Sequence, residues 1–328
     1  MTFKQNWEKA DQQHKLPDNL VSEIVLKIYP EKKLKSYQII SGGCANLNLK
    51  LTFKNEDEPL LLRIYLRDST AAAREKELAE LLHKTLPVPQ IYIFGKIYNY
   101  QFSLSKWVYG ITLRDLLLGS EPYDQEDVMY AVGKILAHIG RKKFDKSGFF
   151  DENLKVLEPT EEDSYLSFVK SCLLNEVVKN SIDKNLLLRI KESFEKFGYL
   201  LPDNEAKSLV HGDFDPANIL VSKGTGSDWR VSAVLDWEFS FSGSPLCDVA
   251  NMLRYSHHMP KEYEASFLEG YQSEGNILPK HWRITVHLLN LISLLDCLRR
   301  SDKKNRPQQY FDICELLEYI QSELEKKL

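Results

Sequence analysis

The chain has 328 residues, 43% of them apolar, with a formal net charge of −4; this leaves room for two domains or one two-lobed unit with a substantial core, and the absence of a basic excess excludes a general nucleic-acid binder, which needs cations to displace phosphate counterions. Its five cysteines, Cys44, Cys172, Cys247, Cys297 and Cys314, are dispersed and lack metal-ligand spacing, so reduced thiols of a cytoplasmic protein are expected. Neither a signal peptide nor a membrane span is predicted, because the most apolar stretch, His287 to Leu298, is interrupted by Asn290, Ser293 and Asp296.

In chain order, Asp18 to Tyr29 reads as a short amphipathic helix and Ser36 to Ile40 as a strand. A turn follows at Ser41-Gly42-Gly43-Cys44-Ala45-Asn46, which is either a plain hairpin or a place where backbone amides approach phosphates. Leu47, Leu49, Leu51 and Phe53 alternate with polar residues, the pattern of a half-buried strand. The next strand, Leu60 to Leu66, carries one cation, Arg63, in an apolar run; it either faces solvent on an edge strand or is buried and needs a partner. Thr70 to Leu86 is predicted helical with Leu78, Leu81, Leu82 and Thr85 inward, which puts Glu75 near the edge of that stripe and Glu77 well off it. Pro87-Val88-Pro89 stops the helix, and Gln90 to Phe94 and Tyr100 to Val108 read as strands.

Beyond Gly110 the pattern is mainly helical: Gln125 to Ile139, Asp163 to Lys179, Lys184 to Phe197, Lys261 to Gln272, Lys280 to Arg299 and Gln308 to Lys326. Within this half lies the most informative segment, Leu209-Val210-His211-Gly212-Asp213-Phe214-Asp215-Pro216-Ala217-Asn218-Ile219-Leu220-Val221, followed by a turn at Lys223 to Asp228 and a strand ending in Leu235-Asp236-Trp237-Glu238. An Asp five residues before an Asn, on the loop after an apolar strand, lets the Asp meet an acceptor hydroxyl while the Asn reaches a magnesium ion; a hairpin then brings Asp236 to the same metal. Phosphoryl transfer needs charge neutralised and a nucleophile aligned, so hard oxygen ligands matter more than a covalent nucleophile. Asp213 is therefore predicted as base, Asn218 and Asp236 as metal ligands, and His211 as a brace whose ring bonds local backbone.

At these residues the chain resembles the aminoglycoside phosphotransferase and choline kinase group of small-molecule kinases, over about residues 36 to 300. Gly212, where protein kinases usually carry Arg, favours the small-molecule branch. The resemblance implies an α+β, two-lobed, protein-kinase-like fold. A small antiparallel-sheet lobe spans 1–104, a hinge 105–110, and a helical lobe with catalytic loop and acceptor pocket 111–328. It also implies Mg2+ and ATP, with GTP possible, and a small-molecule hydroxyl acceptor. Gly42 and Gly43 would cover the nucleotide, Arg63 would stand where relatives carry Lys and pair with Glu75, and the Lys106 and Val108 backbone would hold the purine. Asp248 is either the acid that braces the catalytic loop or a first-turn Asp favoured by its helix dipole.

For the acceptor, Glu238 and Asp296 are the nearest acids and would suit an amine, whereas Arg299, Arg300, Lys303, Lys304 and Arg306 would suit an anion or merely cap a helix. Two other readings stand: a phosphohydrolase using His211, Asp213 and the His257-His258 pair, whose adjacent side chains are expected to point apart, and a nucleotide-binding pseudoenzyme or protein kinase. The oligomeric state leaves no mark on the sequence.

Overall fold

A computed structural model describes residues 3–5, 7, 16–40, 46–68, 70–158, 160, 164–224 and 228–327. Helix α1 (Leu20–Ile28) buries Leu20, Val21, Ile24 and Val25 on one stripe. It packs with the inward residues of β2 (Asn46–Phe53) and β3 (Leu60–Tyr65). With β1 (Leu34–Ile40), β4 (Ile91–Ile97) and β5 (Tyr100–Lys106) these strands form one five-stranded sheet in the order β1-β2-β3-β5-β4, antiparallel throughout. Strand β3 is central. Arg63 therefore does not face solvent on an edge strand; it is 9% exposed.

Helix α2 (Ala71–Leu82) crosses between β3 and β4. It ends earlier than its apolar pattern suggests: His83 caps it, Thr85 is exposed, and the buried stripe is Leu78, Ala79 and Leu82 with Arg74 and Glu75. Those two charged residues are buried against different partners: Arg74 donates to the Glu238 carbonyl of the other half at 3.1 Å, while Glu75 faces Tyr65 and Arg63 of β3.

The second half begins with β6 (Ile111–Thr112), α3 (Leu113–Leu118) and α4 (Gln125–Gly140), then β7 (Gly148–Phe149). The single helix expected over 163–179 is two, α5 (Tyr165–Leu174) and α6 (Glu176–Ser181), because Asn175 leaves the helical backbone and caps the N–H groups of Val177 and Val178. Helix α7 (Lys184–Phe197) precedes β8 (Ser208–Val210), β9 (Ile219–Lys223) and β10 (Trp229–Val234). Strands β9 and β10 are the antiparallel hairpin the sequence predicts, although residues 225–227 of its turn lie outside the described residues. Strand β11 (Phe241–Gly243) and helices α8 (Leu246–Leu253), α9 (Lys261–Ser273), α10 (Trp282–Arg299) and α11 (Pro307–Glu325) complete the chain.

The apolar residues form two principal clusters, one under the sheet and a larger one among the helices. Phe3 and Trp7, and Leu78, Ala79 and Leu82 of α2, belong to the helical cluster. Trp7 donates its indole N–H to Asp312 of α11 at 2.8 Å, and Phe3 packs against Tyr255 and Tyr263 with ring centres 5.2 and 6.2 Å away. No helix among the described residues is long and apolar enough to cross a membrane.

Candidate active site

The loop between β8 and β9 is held from beneath by α8. Asp248, fully buried, accepts the N–H of His211 at 2.7 Å and of Gly212 at 2.9 Å, and Asn251 one turn on donates to the Gly212 carbonyl at 3.0 Å. Between these contacts the backbone turns through φ +83° at Gly212, where a Cβ would stand 2.3 Å from the Phe239 carbonyl oxygen. Only glycine fits both demands. The His211 ring is braced at both nitrogens: Nε2 donates to the Leu235 carbonyl at 2.8 Å and Nδ1 accepts the Asp213 N–H at 3.2 Å. Burial lowers its pKa, so the ring is neutral and has no lone pair left for a substrate proton.

Asn218 folds back on Asp213, donating Nδ2 to its carbonyl and to its Oδ2, both at 2.9 Å. An amide that donates through nitrogen keeps its carbonyl oxygen for a cation. Asp236 follows β10 in a left-handed conformation, φ 67°, that non-glycine residues adopt sparingly and that occurs most at functional sites. Its Oδ1 accepts from Arg63 at 2.5 Å. Arg63 also lies 3.5 Å from Glu75 and 3.8 Å from Glu238, so the pair with Glu75 forms within a wider cluster. Burial would depress the guanidinium, yet Asp236 and Glu75 keep it firmly charged. Tyr65 donates to the other Glu75 oxygen at 2.5 Å and meets Ser103 at 3.1 Å.

The two acceptor-acid candidates are both engaged by this chain. Glu238 is buried and accepts from Asn46 at 2.9 Å, and burial together with Asp236 pushes its carboxyl up to about 7. It turns toward the sheet because Arg63 and Asn46 are the polar partners within its reach. Asp296 accepts from Arg299 at 2.7 Å and from Arg300, so it is neutralised by its own helix. Lys106 is exposed and Val108 half-buried between β5 and β6; Gly42 and Gly43 lie outside the described residues. The His257 and His258 rings do not point apart: in a tight turn after α8 their centres are 3.9 Å apart and His257 stacks on Tyr319. Among the described residues no three His, Cys, Asp or Glu side chains group as a metal site.

One residue was invisible to sequence reasoning. Lys4 places its ammonium 2.5 Å from Asp213 Oδ1 and also against Asp215. Burial alone would raise the Asp213 carboxyl, but the Lys4 ammonium holds it below the usual carboxylate range. A separation of 209 positions in sequence carries no local pattern that could announce the pair. Lys4, Asp213, Asn218, Asp236, Glu238 and Asp296 line one cleft of about 720 Å³.

A model of the phosphotransferase enzyme family (APH) matches residues 36–283. Among solved structures, a thermostable mutant of aminoglycoside phosphotransferase APH(4)-Ia, in a ternary complex with AMP-PNP and hygromycin B, superposes with a TM-score of 0.70. It is 17% identical and the match covers 92% of this chain and 98% of that one. The macrolide 2'-phosphotransferase MphH from Brachybacterium faecium gives 0.62 at 16% identity, over 91% and 98%. Such identities establish the fold. Curated relatives match over shorter stretches: acyl-CoA dehydrogenase family member 11 is 34% identical over 112 residues in Mus musculus and 47% over 51 residues in Gallus gallus. These matches span 34% and 16% of this chain but only 13% and 6% of the length of those relatives.

Proposed function

Because the chain belongs to the APH phosphotransferase enzyme family, we propose that it moves the terminal phosphoryl group of ATP, or of GTP, to a hydroxyl of a small molecule. One observation carries this reading: Asp213, Asn218 and Asp236 line a single cleft, with Arg63 hydrogen-bonded to Asp236 from the central strand of the sheet. The lobes would meet at the 105–110 hinge, whose backbone would receive the base. The structural neighbours solved with AMP-PNP or ADP support nucleotide use.

Asp213 would align the acceptor hydroxyl and take its proton late, as the bond to the leaving oxygen loosens. Asn218 and Asp236 fit magnesium, since a freed amide oxygen and a carboxylate in one cleft are hard donors, and magnesium completes its shell with waters and phosphates. When bound, the ion neutralises phosphate charge. Arg63 would orient Asp236 and, with its planar fork, meet a phosphate oxygen where a lysine would offer a point charge. His211 and Asp248 hold the loop and touch no reactant. His257, half-buried and stacked on Tyr319, offers the phosphohydrolase reading no open ligand set.

The test is a panel of hydroxylated metabolites and antibiotics incubated with magnesium and either ATP or GTP, following nucleoside diphosphate release and product mass. Product heavier than acceptor by one phosphoryl group, formed only with magnesium, is the expected result. Release of phosphate from phosphomonoesters without any triphosphate would defeat it.

A further inference from the structure

Among the described residues, every carboxylate that lines the cleft is already answered by this chain. Asp213 is bound by Lys4, Asp236 by Arg63, Glu238 by Asn46, and Asp296 by Arg299 and Arg300. Lys4 also pairs with Asp215, whose carboxyl burial pushes up and the Lys4 ammonium pulls back down. An amine-bearing acceptor would have to compete with an internal cation at Asp213, Asp236 and Asp296, and at Glu238 with the Asn46 amide and the nearby Arg63. Arg67, Arg300 and Arg306 line the same cleft.

Lys4 is fixed there. Its neighbours Phe3 and Trp7 are 1% and 3% exposed and anchored in the helical core. The backbone is held at φ 38° at Phe3 and 61° at Lys4, conformations that cost L residues free energy and persist only when the surroundings impose them. A solvent-seeking lysine would relax away from such a position, whereas this one is pressed between two acids inside a cleft.

We propose that Lys4 is a specificity-determining residue of the acceptor site, which closes the cleft to amine-rich acceptors and, with Arg67, Arg300 and Arg306, admits a hydroxylated acceptor bearing an anionic oxygen group, carboxylate or phosphate. The proposal rests on the phosphotransfer reading for the word acceptor. Its physical content is a charge preference that binding alone reveals. Lys4 donates to the acceptor anion with one N–H while the others stay on Asp213 and Asp215, and an ammonium has three to give.

The test titrates inorganic phosphate, citrate and kanamycin by calorimetry into the full-length protein, with and without magnesium and AMP-PNP. The proteins compared are the wild type, Lys4→Glu and Lys4→Arg, each checked for an unchanged melting temperature. An anion should bind the wild type at least about tenfold more tightly than kanamycin, the phosphate and citrate arms telling which group fits. Lys4→Glu should weaken that binding by about tenfold or more, and Lys4→Arg should retain it. Kanamycin binding as tightly as either anion, no anion binding, or equal anion binding in Lys4→Glu would each overturn the proposal. So would a Lys4→Ala protein that phosphorylates acceptors of every charge faster, since Lys4 would then be a plug. Failure of AMP-PNP to bind is read separately and counts against phosphotransfer itself.

Discussion

Asp213 and Asp236 are held by different cations from different parts of the chain, Lys4 at one and Arg63 at the other, and this separates their effects. If Asp213 is the base proposed above, Asp213→Ala removes it while Asp236, Arg63 and Asn218 keep their places, so kcat should fall by roughly 10²–10⁴-fold with nucleotide affinity little changed. Some turnover should survive, because a loose transition state asks for little deprotonation early on. Asp236→Asn removes a charged oxygen donor instead and should abolish most magnesium-dependent nucleotide binding. Steady-state kinetics and calorimetry on the two variants check both halves. Equal loss of nucleotide affinity in both would merge the roles assigned here.

At the scale of elements, α8 decides whether the loop keeps its shape. Asp248→Ala would leave the N–H groups of His211 and Gly212 buried without acceptors. Each orphaned donor costs about 1–3 kcal/mol, so the variant should lose about 3 kcal/mol in urea unfolding; a loss under about 1 kcal/mol would mean water replaces the carboxylate. The helices around His257 and His287 set a pH limit. Burial lowers each to about 4, with His258 adding to the effect at His257, and both stack or pack among α10, α11 and the turn after α8. Their unfolded pKa is about 6.5, so the folded state binds fewer protons between those values. Their contribution is whole above about pH 6.5 and is lost as pH falls toward about 4. Melting temperature should therefore drop between pH 7 and pH 4.5, and the double variant His257→Gln, His287→Gln should flatten that slope. An unchanged slope would place the acid sensitivity elsewhere.

Across the whole molecule, local signals in the sequence were legible where one element carries them and silent where distant parts meet. Alternation gave β2, the 3.6-residue stripe gave α4, and the Asp213-to-Asn218 spacing with the β9-β10 hairpin pointed to side chains that line one cleft. The orientation of Glu238 toward Asn46 and the neutralisation of Asp296 depend on tertiary neighbours, and no periodicity records them. The N-terminal segment is the extreme case: Phe3 and Trp7 precede the sheet in sequence yet pack among the helices, and Lys4 reaches Asp213 and Asp215. Its consequence can be measured. Trp7 is 3% exposed and shares the Asp312 carboxylate with the hydroxyl of Tyr255, at 2.8 and 2.7 Å. Trp7→Ala should cost about 3–5 kcal/mol, the range for emptying a buried aromatic site. Because the lost contacts belong to α11 and the turn after α8, amide exchange should quicken in α8 to α11 while β1 to β5 keep their protection. With its anchor gone, Lys4 should lose its fixed place at Asp213, so acceptor KM should rise in the same variant while magnesium-nucleotide affinity holds. Faster exchange confined to the sheet, or an unchanged KM beside the full loss of stability, would show that the segment and the cleft are not coupled.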